Sequence, residues 1–529
     1  MPGSLSDPIE PVNRVFFAVD EALFTVVIEP ATKGYNALVP SPCRKGIRHF
    51  RENLFYPVRL GNNLLQGKWK NAGTETKRFA INTTIGVLGF SDPATTKFDI
   101  PVADEDLGQT FAEWGWEKQT FLYVPILGAG SGRDYLGRGG DVFMDPASLL
   151  PEAKVGLEFN LMSFDAKTTR EALDTDFDPY TLNKMFYTQK RALQVLDAQP
   201  NLKGEDSPQT QTMEAMFSMP DDSGFPNSGT EGEVQPEGFR KPLTYSLWMQ
   251  PSPAPIAFVM PGLGGHRFNA RAMALAEMAH LEGYHVVMFS NNLNWEFIRS
   301  APAGYLPGYL YDDLKYIRQL QTAAEAQLKT AHGSDHVLGP PSVMGFSMGG
   351  WYTLNLCATN PPETYRKALS INPPLDLRNG LDALDRLFRA PADKPDRDAI
   401  MQSAILKMLL NRESVLEKKF KIPYTDTEAS YVIGLSYRFT LRQTIMASHD
   451  IPRSRHAYRH VDALSYRDYH DKIMAPRLAE RNITADDLAN STDLRTREAG
   501  VVAAPGLQLV LTSNDFLLTD GDLAWFREK

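Results

Sequence analysis

Cysteine is nearly absent from this chain of 529 residues: Cys43 and Cys357 are the only two. That excludes a disulfide scaffold and any metal site built on cysteine pairs. Cys43 lies in LVPSPCRKG and Cys357 on an apolar helix, neither a setting for a nucleophile, so both read as structural. Positive charge is not in excess, with 55 Lys and Arg against 64 Asp and Glu and a net charge of -9. Nothing here suits nucleic acid. No uninterrupted apolar run reaches about 18 residues, which excludes a bilayer-spanning helix but leaves a place in the membrane interface open. The opening MPGSLSDPIEPVNRVFF lacks the basic, apolar and small-residue segments of a signal peptide. It implies a cytoplasmic protein or one whose leader is not part of this sequence. Histidine is also scarce, ten in all, with none beyond His470. No metal or cofactor is expected.

What is present divides into three regions. A chain of 59.1 kDa is too long for one domain, since domains run to roughly 100–200 residues. Residues 1–195 read as helices broken by Pro and Gly. RVFFAVDEALFTVVIEPATKGY has apolar residues at three- and four-residue spacing and is predicted to end at Glu29-Pro30. KRFAINTTIGVLGFSDP and TFLYVPILGAGSGRDYLG are short, apolar and interrupted. Residues 196–237, rich in Pro, Gly, Ser and acid, read as a linker with one short strand around 212–219. From 238 the pattern alternates between strand and helix: PIAFVMPG, RFNARAMALAEMAHLEG, YHVVMFSN, YLYDDLKYIRQLQTAAEAQLKT, SVMGFS, KALSINPP and finally LQLVLTSND. Such alternation predicts a mostly parallel, doubly wound sheet. A polar, Tyr- and Arg-rich helical insertion at about 377–500 is its expected cap.

The chemistry gathers at the ends of these strands. SVMGFSMGGW contains Gly345-Phe346-Ser347-Met348-Gly349, the G-x-S-x-G turn that lifts a serine from strand to helix for attack. Ser347 is the candidate nucleophile. Pro261-Gly262-Leu263-Gly264-Gly265 stands one strand-helix-strand-helix unit upstream, where an oxyanion turn belongs, so the N–H groups of Leu263 and Met348 are the candidate donors. Asp515, after LQLVLTSN, is the candidate acid, with Asp376 in INPPLDL its rival, while Asp520 and Asp522 read as helix-starting acids. The order Ser, Asp, His calls for a histidine after Asp515, and none follows. His266 adjoins the oxyanion turn but precedes the serine, and His449, His456, His460 and His470 lie in the cap, where solvation or local hydrogen bonding is expected. The base is therefore expected beyond Lys529, in a segment clipped from the C-terminus.

From about Thr210 onward, PGLGG and GFSMGG resemble the α/β-hydrolase superfamily, in particular its YheT-like esterase branch, with Met260-Pro261 where many members carry His-Gly. The N-terminal part resembles the MlaA/VacJ family through DPIEPVNRVFFAVDEAL, PATKGYNALVPSPCRKGIRHFRENLFYPVRLGNNLLQGKWKNAG, RFAINTTIGVLGFSDPA, DEDLGQTFAEWGW, PILGAGSGRDYLGRGGD and DPYTLNKMFYTQKRAL, in that order. That resemblance implies an outer-membrane lipoprotein of Gram-negative bacteria, on the periplasmic side, which passes misplaced phospholipid toward the periplasm beside a porin. It also implies that the apolar broken segments are bilayer-embedded helices. The lipobox cysteine expected of the family is not in this sequence. Asn13, Asn82, Asp92, Asp106, Gln109 and Arg133 then become candidates for a polar headgroup route, against the plainer reading that they cap helices and satisfy loops.

Together these readings predict an all-α, membrane-embedded N-terminal domain joined to a capped α/β-hydrolase domain. The expected function is phospholipid transport coupled to serine hydrolysis of a lipid acyl ester, in the manner of a phospholipase or lysophospholipase. Two alternatives stand beside it: a hydrolase fold kept as a non-catalytic partner of the lipid unit, and a cytoplasmic serine esterase with an unrelated helical domain.

Overall fold

The computed structural model describes residues 5–529 apart from 199–201, 217–219, 223, 416–421, 450, 505 and 513–514. It separates into two compact units, divided after residue 198.

The first unit is mainly helical. Its opening helix does not stop at Glu29-Pro30, because Glu10–Leu23 continues through a π turn at Phe24–Ile28 into Glu29–Leu38. Proline has no N–H to offer a carbonyl one turn back, and the wider π turn shifts that pairing by one residue. The two interrupted apolar stretches also differ from the helices expected. KRFAINTTIGVLGFSDP ends the helix Trp69–Thr84 and then turns, with Val87 and Leu88 at φ +54° and +58°. TFLYVPILGAGSG forms an antiparallel hairpin, β1 (Phe121–Val124) on β2 (Gly128–Ser131), so the unit is not all-α. Here the period is 2: Phe121 and Tyr123 face the core and their neighbours do not. Among the described residues no helix is long and apolar enough to cross a membrane.

This unit has an aromatic core of Phe17, Phe121, Tyr123 and Tyr180, yet it also buries charge and exposes apolar side chains. Charges are inside: Arg59 Nε meets Glu75 Oε2 at 2.6 Å, Arg51 meets Asp145 at 3.1 Å and Lys184 meets Asp7 at 2.8 Å, each with a nearly inaccessible carboxylate. Removing one partner of such a pair costs about 3–5 kcal/mol, because the other is left charged and buried. Large apolar side chains are outside, among them Leu38, Trp69, Val87, Leu88, Ile126, Phe143 and Leu149. Water does not favour that arrangement.

The second unit is built on a seven-stranded sheet ordered β3-β4-β6-β5-β7-β8-β9, comprising Thr230–Val234, Leu243–Trp248, His285–Met288, Ile256–Met260, Ser342–Phe346, Ala368–Ile371 and Leu507–Val510. β4 runs antiparallel to both its neighbours, and β6, β5, β7, β8 and β9 are parallel. β5 and β6 are buried along their whole length, as strands covered on both faces must be. Ala257, Val259, Val286 and Met288 pack with the helix Ala270–Leu281. The intervening Phe258 and Val287 face Leu320 and Tyr352 on the opposite side.

Part of the expected linker is structured. β3 lies within it, and 208–216 is a helix where a strand around 212–219 is predicted, the last three of those positions lying outside the described residues. MEAM is made of helix formers, and Met213 is buried. The segment before that helix is tied to the cap: Glu205 N–H donates to the Tyr424 carbonyl at 3.0 Å and Glu205 Oε2 accepts from Asp426 N–H at 2.6 Å. The cap itself is helical, with Leu377–Phe388, Arg397–Val415 and Asp426–Ser448 as its longest members.

Candidate active site at the carboxyl end of the sheet

Ser347 joins β7 to the helix Met348–Thr359 in a backbone conformation that side chains seldom adopt, φ +52° and ψ -123°. Such a position costs about 1–3 kcal/mol and persists only where its surroundings enforce it. Here they do. Ser347 N–H donates to the Ile371 carbonyl on β8 at 2.8 Å, and its carbonyl accepts from Trp351 N–H at 2.9 Å. A Cβ at Gly345 would collide with the backbone of Gly349, and one at Gly349 with the carbonyls of Met260 and Pro261. Glycine is required there, and the close approach packs the serine turn directly against the start of the Pro261–Gly265 turn.

That second turn is held by asparagines that the sequence reading passes over. Asn291 Oδ1 accepts from Gly264 N–H at 3.1 Å, while its Nδ2 donates to the Pro261 carbonyl at 3.1 Å. Asn294 Nδ2 donates to the Gly264 carbonyl at 2.9 Å. No local signal in SNNLNW points to this role, because the partners lie 27 and 30 residues earlier in the chain and are brought to these asparagines by the sheet. Among the described residues, no hydrogen bond takes up the N–H of Leu263 or Met348.

Asp515 follows β9, where its carboxylate accepts the Leu517 N–H at 2.8 Å. Burial pushes its pKa up and only that N–H opposes the shift. Its rival Asp376 is the N-cap of Leu377–Phe388, bonded to Arg378 N–H. Asp520 and Asp522 begin the helix Asp520–Glu528, with Asp522 in a capping box with Thr519. His266 is held away from catalysis: Nδ1 accepts from Phe268 N–H at 3.2 Å and Nε2 lies 3.3 Å from Glu296. His449 bonds locally to Ser448, whereas His456 and His460 stack on each other at the surface. Among the described residues no histidine is hydrogen-bonded to Ser347. A cavity in the cap is walled by Met348 and by Leu293, Leu377, Leu381, Tyr469, His470 and Met474, giving an apolar chamber that begins beside the nucleophile turn.

The six polar candidates of the first unit are all internally engaged. Asn13 bonds Asp7 and the backbone of Phe121 and Tyr123, fastening the first helix to β1. Asn82 and Asp92 bond each other at 2.8 Å and Asp92 accepts from Arg78 at 2.9 Å. Asp106 caps Leu107–Glu113 and takes a bidentate Arg191 at 2.6 Å; Gln109 supplies the capped N–H and donates to the Asp104 carbonyl. Arg133 pairs with Asp134 at 3.1 Å. Arg191 and Asp134, which join these clusters, were not singled out from sequence. Asp141 lies nearby, its pKa pushed up to about 6 by burial despite hydrogen bonds from Asn62 and Leu107.

Residues 5–194 match the family model described as MlaA lipoprotein. The intermembrane phospholipid transport system lipoprotein MlaA of Haemophilus influenzae is 29% identical over 204 residues, 36% of this chain and 80% of that one. The protein of the same name in Escherichia coli is 26% identical over 218 residues, 40% and 85% of the two chains. A structure solved for the structural basis of bacterial outer membrane lipid asymmetry aligns with 36% of this chain and 99% of its own at 24% identity and TM-score 0.33. A membrane phospholipase A aligns with 58% of this chain and 83% of its own at 15% identity and TM-score 0.28. The helical unit is thus MlaA-like, which removes the reading of an unrelated helical domain, and esterases and lipases are among the neighbours of the rest of the chain.

Proposed function

We propose that this chain is an outer-membrane lipid protein in which the MlaA-like unit withdraws phospholipid toward the periplasmic side and the second unit hydrolyses a lipid acyl ester. The observation that carries the enzymatic half is the strained Ser347, enforced by glycine packing against a turn whose Leu263 N–H has no hydrogen-bond acceptor among the described residues. In this reading Ser347 Oγ attacks the acyl carbonyl and the N–H groups of Leu263 and Met348 receive the oxyanion. Asp515 is the acid in the order usual for this fold. The substrate is a phospholipid or lysophospholipid, supplied by the first unit. Asn13, Asn82, Asp92, Asp106, Gln109 and Arg133 frame that unit's polar interior along the headgroup route, and an outer-membrane porin is its neighbour in the bilayer.

A second reading, a non-catalytic hydrolase fold serving the lipid unit, draws on the lack of an imidazole bonded to Ser347 among the described residues. Fluorophosphonate labelling separates the two. The full chain in detergent micelles is expected to label, and Ser347→Ala to lose the label. A wild-type chain that stays unlabelled removes the enzymatic half.

A further inference from the structure

We propose that a groove on the first unit, along the helix Pro151–Thr175, binds one phospholipid whose head carries both a phosphate and a primary ammonium, as phosphoethanolamine does. This rests on the lipid-handling half of the function above, and it names a site apart from both the headgroup route and Ser347.

The groove has a volume of about 510 Å³, inside the range of small-molecule sites, about 300–1,000 Å³. Pro151, Val155, Phe159 and Met162 line it from the helix and Val142 from the preceding segment. Steps of four, four and three residues put those four side chains on one stripe of the helix. Such a stripe usually faces a protein core. Here it does not: Val155 is 69% exposed, and Leu149 and Leu150, just before the helix, are exposed with it. An acyl chain laid along the stripe would take this apolar surface out of water. The wall is set before any chain arrives. Phe159 meets Tyr35 edge-on at 5.5 Å, Tyr35 Oη donates to Asn160 Oδ1 at 2.9 Å, and Asn160 Nδ2 donates to the Arg44 carbonyl at 3.1 Å.

The charges on the groove select the head. Lys154 and Glu158 line it one helical turn apart. Among the described residues they form no ion pair with each other, in keeping with the order Lys before Glu, the less favourable one at this spacing. Each is held by a different partner. Lys154 Nζ lies 3.0 Å from Asp145 and donates to Ser148 Oγ at 2.8 Å. Glu158 Oε1 accepts from Arg51 Nε at 2.9 Å, and Arg51 also pairs with Asp145 at 3.1 Å. The four charges cancel, so the groove favours a head without net charge.

Two bonding positions are left over. An ammonium has three hydrogens and Lys154 uses two, while Oε2 of Glu158 has no partner among the described residues. A phosphate on Lys154 and an ammonium on Glu158 complete both. The phosphoethanolamine head joins those two groups through two carbons, a span suited to side chains about 5–6 Å apart at their Cβ atoms. A phosphoglycerol head brings no cation to Glu158, and a trimethylammonium has no N–H to give Oε2.

The test is native mass spectrometry of the full chain in detergent micelles, incubated with equal amounts of dioleoyl phosphatidylethanolamine, phosphatidylcholine and phosphatidylglycerol. The mass of the complex reads which lipid stays. Phosphatidylethanolamine is expected to be retained over the other two by about tenfold, the factor that one charged hydrogen bond supplies. Glu158→Gln should reduce that preference to twofold or less, and Lys154→Gln should lower retention of phosphatidylethanolamine and phosphatidylglycerol alike. Val155→Trp, at an exposed position, should fill the groove and lower retention about tenfold with an unchanged unfolding midpoint. Equal retention of the three lipids by the wild-type chain overturns the proposal. So does a preference that survives either Glu158→Gln or Val155→Trp, which would place the lipid elsewhere in the unit. A wild-type chain that retains no phospholipid removes the lipid-handling reading itself and the groove with it, a different outcome from either.

Discussion

Asn291 grips Gly264: its Oδ1 accepts the Gly264 N–H at 3.1 Å while its Nδ2 holds the carbonyl of Pro261, three residues earlier, at 3.1 Å. The two bonds bracket Leu263, so they set the direction of the N–H proposed for the oxyanion. Loss of one oxyanion donor lowers kcat by about 100- to 1000-fold, and loosening its support should cost a part of that, about 10- to 100-fold. Asn291→Ala is therefore expected to reduce kcat on p-nitrophenyl esters with little change in KM. An unchanged kcat would mean that the turn holds its shape unaided.

Gly264 also meets the cap. It sits at φ +62°, and a Cβ there would run into Cγ2 of Thr440 on the helix Asp426–Ser448. That helix is further fastened by Thr444, whose hydroxyl donates to the Leu293 carbonyl at 2.7 Å. Gly264→Ala thus meets both strain and a clash, and a stability loss of about 1–3 kcal/mol is expected in urea unfolding. Thr440→Ser removes the clashing methyl and leaves the φ penalty. The double variant should regain part of the loss; none regained would locate the whole cost in the backbone.

The second unit was legible because its strands are short buried runs and its turns carry glycine for a reason that sequence can state. Gly345, Gly349 and Ser347 could be read together since one turn fixes all three. Asn291 could not, since its partners Pro261 and Gly264 are brought to it by the sheet and not by the chain. The first unit was harder. Its interior holds, beside aromatic residues, buried pairs such as Arg59 with Glu75 and Arg51 with Asp145, which apolar periodicity does not reveal. Apolar stretches there mark turns and a hairpin at the surface, so the usual inference from hydrophobic run to buried helix failed at Val87, Leu88 and Ile126.

Acid should weaken the second unit. Burial pushes His266 down from its ordinary 6.5 to about 4, and His285, wholly buried, is lowered for the same reason. With the folded value depressed, the unfolded chain binds the proton first. The stabilising contribution is therefore complete above about pH 6.5 and is lost as pH falls toward about 4, worth up to about 3 kcal/mol for His266. Urea midpoints measured at pH 8 and pH 5 should fall on acidification, and His266→Gln should flatten that dependence. Parallel curves for the two proteins would exclude His266 as a source.

The exposed apolar residues of the first unit make the last prediction. Phe143, 92% exposed, and Leu149, 82% exposed, lie on the segment between Gly132–Asp141 and Pro151–Thr175. Burying such a side chain in an apolar medium gains about 1.5–3 kcal/mol, whereas substituting it on a water-facing surface changes stability by only about 0.5 kcal/mol. The double variant Phe143→Asp, Leu149→Asp is expected to keep its unfolding midpoint and to lose at least tenfold in binding to phosphatidylethanolamine and phosphatidylglycerol vesicles by co-sedimentation. Leu281→Asp, on an equally open position of the second unit, serves as the comparison and should bind as wild type does. Equal vesicle binding by all three proteins would mean that this apolar surface does not face lipid, and its exposure would then need a reason other than a bilayer.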